Sequence, residues 1–173
     1  MWDFFETVRN RHSVRRYQSD MPVEREKLHA ILETAMSAPS AGDLQSYQMD
    51  VVTSEPLRQA LQEAAPRHRF IAAAPTCLVV SADQQRPRER FGDLGSELFC
   101  IQDATIVAAY AQLAAVAAGL ASGWVGSFDE ARVCDLLSLE PHLRPVAILT
   151  IGYPAELPEL TPRRHLEDVV RFR

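Results

Sequence analysis

Between Asp103 and Ser122 the chain runs for 18 residues, Ala104 to Ala121, without a formal charge. A membrane-spanning helix needs about 20 predominantly apolar residues, and this stretch is mostly alanine with Tyr110 and Gln112 inside it. Alanine is the best helix former, contributes little transfer free energy and lets backbones approach closely. A helix apolar on every side that does not lie in lipid must be buried on every side. A small monomer can hardly enclose such a helix. The segment is therefore expected to be a central helix at a subunit interface, with no membrane involved.

The rest of the sequence bounds the setting. At 173 residues the chain is expected to form a single domain, 1–173. Apolar residues at 47 % and charged residues at 24 % exclude disorder and a fibrous repeat. A net charge of -5 without a basic stripe argues against nucleic acid. Cys77, Cys100 and Cys134 stand 23 and 34 residues apart in apolar stretches. No Cys or Cys/His spacing suits a metal, so they read as reduced core thiols. Met1 to Glu6 carries no basic n-region, so no secretory signal is expected and the cytoplasm is the expected compartment.

Periodicity predicts a helix from Trp2 to Asn10, with Phe5 and Val8 on one face, and a second through Leu28, Ile31, Leu32, Ala35 and Met36. Strands are expected at Gln48–Ser54, Thr76–Ala82 and Pro145–Gly152, with a brief extended piece at Trp124–Phe128. Ser54-Glu55-Pro56 opens a further helix by a serine cap. Arg86–Arg90 reads as a charged linker before the long helix through Leu98 and Ala121. Ser127 and Glu130 resemble a capping box for a helix at Arg132–Leu139. Strands interrupted by helices at irregular intervals predict an α+β sheet flanked by helices rather than a doubly wound fold. Neither a Gly-x-Gly-x-x-Gly turn nor a P-loop occurs.

Two arginine clusters, Arg11/Arg15/Arg16 and Arg163/Arg164, have the chemistry to hold a phosphate dianion, although single arginines are more often solvated surface charge. Ser40 to Gln45 offers hydroxyl, amide and bare backbone on a turn, and Gly123 and Gly126 bracket Trp124 and Val125. Catalytic side chains are scarce. His29, His68, His142 and His165 read as surface or satisfied histidines, and no nucleophile pairs with a base. A site with many donors and few acid–base groups suits a cofactor that carries its own chemistry.

In order along the chain stand Arg11-His12-Ser13-Val14-Arg15, Ala38-Pro39-Ser40-Ala41-Gly42-Asp43-Leu44-Gln45, Gln102-Asp103-Ala104, Gly119-Leu120 through Gly123-Trp124-Val125-Gly126, Ile151-Gly152-Tyr153-Pro154 and Arg163-Arg164. This sequence of motifs resembles the FMN-dependent nitroreductase family, from about residue 3 to residue 168. The resemblance implies a central mixed or antiparallel sheet flanked by helices in an intertwined homodimer, with two FMN sites at the interface. Arg11, Ser13 and Arg15 would hold the phosphate and the N1/O2 edge of the flavin, His12 adding a backbone or ring contact. Arg163 and Arg164 would close on the phosphate. Pro39, Ser40, Ala41, Asp43 and Gln45 would reach the FMN of the other subunit. Val125 and Gly126 would lie by the isoalloxazine, the Gly126 N–H near N5.

The implied activity passes electrons from NAD(P)H through FMN to a nitroaromatic, quinone or similar conjugated acceptor by a ping-pong mechanism. Arg15, near N1/O2, would stabilise the anionic reduced flavin. Two readings compete: a non-catalytic FMN-binding protein, and a flavin-fragmenting or dehalogenating enzyme of the same fold. The resemblance departs at Asp43, where the family usually carries asparagine. The chain is also short for the family, which would leave the acceptor pocket open.

Overall fold

Two strands rich in β-branched residues, β2 (Thr76–Asp83) and β4 (Leu143–Gly152), form the centre of a four-stranded sheet. Here β1 (Tyr47–Val52) pairs with β2 and β3 (Ala121–Val125) with β4, in the order β1-β2-β4-β3. Each of these pairings is antiparallel, which resolves the expected mixed or antiparallel sheet in favour of the latter. The computed structural model describes residues 3–18, 20–156, 158–159 and 161–173. The architecture is α+β.

Successive side chains of a strand point to opposite faces, and here both faces are covered. Leu78, Val80, Leu149 and Ile151 pack with α2 (Arg25–Met36) and α5 (Cys100–Ala117). Cys77, Val79 and Ile148 pack on the other side, in one cluster with Leu61 and Ala64 of α3 (Glu55–Ala64) and Val133 of α6 (Glu130–Leu137). That double cover is why both central strands read as near-continuous apolar runs.

Helix α1 (Phe4–Asn10) begins at an Asp3 cap, whose carboxylate accepts from the Glu6 N–H at 2.7 Å while Glu6 reaches back to the Asp3 N–H. The expected start at Trp2 lies outside the described residues. Phe5 and Val8 do not face the core; Phe5 is 70 % exposed.

Three other expectations are corrected. The long helix stops at Ala117, and Ala121 opens β3. The cause is Gly119 at φ +77°, a left-handed position that glycine occupies without steric cost. There the Leu120 N–H donates to the Ala115 carbonyl and the Gly119 N–H to the Val116 carbonyl, a Schellman closure. On the single chain, as the sequence leads one to expect, the helix is not fully enclosed: Thr105, Ala109, Tyr110 and Ala117 are exposed. By length and composition the helical run from Arg88 to Ala117 could cross a membrane, but 56 % of its apolar window is buried in the fold.

The presumed linker is helical from Arg88: α4 (Arg88–Leu94) leads through a wide turn at Gly95–Phe99 into α5. A Cβ on Gly95 would sit 2.5 Å from the Pro87 carbonyl oxygen, so only glycine permits this close path. Finally, α6 is capped by Asp129, whose carboxylate accepts from the Arg132 N–H at 3.0 Å, and not by Ser127. A carboxylate satisfies that N–H and the positive end of the helix dipole together. At α3 the serine cap is in place by position only, because the Ser54 side chain makes no capping bond.

Candidate functional site

The arginine-rich segment after α1 is pinned along its length. Ser13 bridges Ser122 in parallel, and Tyr17 bridges Pro154 in antiparallel fashion. The Val14 N–H donates to the Ser122 carbonyl at 3.0 Å, the Arg15 N–H to Glu156 Oε1 at 3.0 Å, and the Ala155 N–H to the Arg16 carbonyl at 2.9 Å. Val14 and Tyr17 are buried, while Ser13, Arg15 and Arg16 are exposed and Arg11 and His12 half-buried. The Tyr17 hydroxyl meets Thr150 Oγ1 at 2.6 Å, and burial pushes its pKa up, so it stays a neutral anchor. Among the described residues no carboxylate lies within ion-pair distance of Arg11, Arg15 or Arg16. The result is a rigid backbone presenting uncompensated guanidinium groups.

The second element is the loop after α2. Pro39 is exposed, Ser40 half-buried in extended conformation, and Ala41–Asp43 forms a single 3-10 turn. Two residues other than glycine, Asp43 (φ +58°) and Gln45 (φ +46°), hold left-handed conformations. Each costs of order 1–3 kcal/mol and persists only where surrounding contacts over-determine it. Those contacts are present. Ser40 Oγ accepts the Gln45 N–H at 2.9 Å, and the Gln45 amide donates to the Asp43 carbonyl at 2.6 Å and to Asp43 Oδ1 at 2.7 Å. Among the described residues Asp43 makes no ion pair; its carboxylate is met by an amide. Arg90 of α4 donates to the Gly42 carbonyl at 3.0 Å. From inside, Asp103 of α5 accepts the Ala41 and Ser46 N–H groups at 2.8 and 3.4 Å.

The chain does not gather all the expected residues into one place. The loop is tied to Asp103 in the first turn of α5, whereas Val14 is tied to Ser122 beyond its last turn. Ser122 Oγ accepts from the Gln112 amide at 3.1 Å, nine residues along α5 from Asp103, so at 1.5 Å per residue the anchors stand about 14 Å apart along the helix axis. Val125 is buried at the end of β3, and the exposed Gly126 shares a cleft of about 210 Å³ with Ile101, Phe128, Val146 and the Glu130–Arg144 pair. Both bonds of that pair measure 3.0 Å, and the Arg144 guanidinium holds the Glu130 carboxyl below its ordinary range. Arg163 and Arg164 lie on an exposed tail, and Arg164 donates only to the Asp168 carbonyl at 2.9 Å among the described residues.

Asp103 and Glu156 hold these elements in place, yet motif reading assigned neither a role. Asp103 is visible in sequence as the charge that ends the apolar stretch; Glu156 has no comparable signal. The cysteines are free, and burial pushes the Cys77 thiol up to about 12 and raises Cys100 and Cys134, so none is poised as a nucleophile.

Known proteins share this sequence pattern and fold. The sequence matches the family model described as Nitroreductase family over residues 8–66 and 65–153. It is 33 % identical to an NADH dehydrogenase of Thermus thermophilus, across 94 % of this chain and 92 % of that protein. It is 29 % identical to the FMN reductase [NAD(P)H] of Bacillus subtilis, across 98 % of this chain and 73 % of that one. The fold superimposes on B. megaterium NfrA2 with a TM-score of 0.90 at 28 % identity, covering 99 % of this chain and 74 % of that structure. With the motifs, the fold and the matched span in accord, this chain belongs to the nitroreductase family.

Proposed function

We propose that the chain is an NAD(P)H-dependent FMN oxidoreductase, passing electrons to a nitroaromatic, quinone or similar conjugated acceptor by a ping-pong mechanism. The observation that carries this reading is the pinned Arg11–Arg16 segment, whose guanidinium groups have no carboxylate partner among the described residues. Such a donor set fits a phosphate dianion. The FMN reductase and NADH dehydrogenase names of its relatives support cofactor and reductant alike.

When bound, FMN supplies the two-electron chemistry. The chain supplies binding and charge. Arg11 and Ser13 donate to the phosphate, with Arg163 and Arg164 closing on it and His12 adding a further contact. The Arg15 guanidinium sets a positive charge at the N1/O2 edge, where it stabilises negative charge on the ring. Val125, whose side chain is buried in the core, would offer the ring only its backbone, and the exposed Gly126 N–H would donate at N5. Pro39, Ser40, Ala41, Asp43 and Gln45 serve the FMN of a partner copy. The separation of this loop from Arg11 and Arg15 in one chain supports a site shared between two. So does the exposed apolar face: Phe4 is 67 % exposed, and a groove runs between it and Thr7, Thr34, Tyr110, Leu113, Ala114 and Ala117. The tail carries Phe172, 93 % exposed. A homodimer covers both, and the free thiols agree with the cytoplasm.

The test is the visible spectrum of the purified protein, mass spectrometry of any released cofactor, and steady-state NADH and NADPH oxidation with and without a quinone. Yellow protein with quinone-stimulated turnover is expected. Protein that neither carries nor takes up FMN would overturn the reading.

A further inference from the structure

Among the described residues, the carboxylate of Asp103 is the one charged group buried in the core. It is 2 % exposed, sits in the first turn of α5, and meets no cation within ion-pair distance among the described residues. Its partners are backbone: Oδ1 accepts the Ala41 N–H at 2.8 Å and Oδ2 the Ser46 N–H at 3.4 Å. These two amides bracket the left-handed residues Asp43 and Gln45. One side chain thus grips the loop at both ends.

The chemistry of the grip explains the residue type. Both partners donate, so both side-chain oxygens must accept, as the two oxygens of a carboxyl group can. Asparagine would set an N–H against one of the two donors. Beside the grip, the Ser46 and Tyr47 hydroxyls are buried without hydrogen-bond partners among the described residues. Burial, and the negative charge of Asp103 nearby, push the Tyr47 phenol up, so it stays protonated.

We infer that Asp103 is a positioning residue for the flavin site: it holds the Ala41–Gln45 loop in its strained shape and so ties the cofactor-facing loop to the central helix. The inference rests on the FMN reading for what the loop touches, but not for the clamp itself. Asp103 touches neither cofactor nor acceptor and acts through the loop.

The test uses the full-length protein. Affinity of the apo form for FMN, the visible spectrum of bound flavin, thermal unfolding and hydrogen exchange at the loop amides are compared in wild type, Asp103→Asn, Ala41→Pro and Val133→Ala. Ala41→Pro deletes the same hydrogen bond from the loop side. Proline is tolerated at the first helical position, and the extended Ser40 before it is compatible. It keeps the test decisive should Asp103→Asn fail to fold. Val133→Ala is a core cavity on the far face of the sheet, against which a general loss of stability is judged. Asp103→Asn and Ala41→Pro are each expected to weaken FMN binding at least ~tenfold, about 1.4 kcal/mol. They are also expected to shift the bound-flavin spectrum and speed exchange at the loop amides, while Val133→Ala lowers the melting temperature with affinity and spectrum unchanged. Wild-type affinity, spectrum and exchange in Asp103→Asn would overturn the inference while leaving the FMN reading intact. Losses in all variants proportional to their melting temperatures would reduce Asp103 to a structural role and overturn it too. Should wild type bind no FMN, the FMN reading falls, and loop exchange alone decides for or against the clamp.

Discussion

Two alanines on α5, Ala115 and Ala117, separate the fold from the proposed dimer. Ala115 is fully buried in its own chain, in the cluster with Ile31, Leu78 and Leu149, and its carbonyl receives the Leu120 N–H. Ala117 is exposed and lines the apolar groove with Phe4 and Tyr110. An arginine at 117 leaves the single chain intact and suits the negative end of the helix dipole. In a two-fold dimer it buries one unpaired guanidinium per copy. At roughly 3 kcal/mol for each uncompensated buried charge, the pair costs about 6 kcal/mol, a ~10⁴-fold rise in the dimer dissociation constant. Sedimentation of Ala117→Arg at micromolar concentration should then show a folded monomer that has lost FMN, with helical circular dichroism retained. Ala115→Glu, by contrast, should lower the melting temperature of the chain itself. A dimeric Ala117→Arg protein with wild-type FMN content would refute the assignment of this face, and a monomeric wild type with tight FMN would refute the shared site.

Loss of Arg164 from a phosphate clamp removes one partner of a hydrogen-bonded charge pair, so Arg164→Ala should weaken FMN by ~30-fold or more and lysine should restore only part; apo-protein titration reads it. Asp43→Asn should raise the flavin midpoint potential: at ~6 Å the repulsion is about 3 kcal/mol for an effective dielectric of ~20 and about 0.7 in water, or ~15–60 mV for two electrons. Exposure of Asp43 favours the lower end, and spectroelectrochemistry finding no shift would turn the carboxylate away from the ring. Because Arg144 holds the Glu130 carboxyl below its unfolded value, the pair adds stability that is present above the ordinary carboxylate pKa of about 4.3 and lost as pH falls through the folded value. Melting curves of Glu130→Gln should therefore show a shallower loss of stability on acidification than wild type.

Much of the sheet was legible because burial on both faces leaves an apolar run, as at Val146 to Leu149. The arginine segment and the Ser40–Gln45 turn were legible as chemistry, since donors and turn residues stand together in the chain. The boundary errors share a physical cause. Ser127 and Asp129 are both competent caps two residues apart, and the Asp129 N–H is held by the Ala64 carbonyl of α3 at 2.8 Å, a tertiary contact that no local pattern shows. Gly119 ends α5 through backbone geometry that alanine-rich composition on either side conceals. Asp103 was the deepest miss: its partner amides lie about 60 residues earlier, and no spacing rule connects a helix carboxylate to a distant loop.

The sheet order has a consequence for how the chain is made. The central pair joins Asp83 to Leu143 and Thr76 to Ile151, so the middle of the sheet closes only across a long intervening segment. Loop closure of that length is slow compared with helix formation, which is local and fast. Helix α5 lies wholly inside the segment and can form while the register is still open, giving β2 and β4 an apolar surface on which to meet. During synthesis β4, which ends at Gly152, emerges before Arg163 and Arg164. These arginines thus reach the ribosome exit behind a core whose strands are already complete.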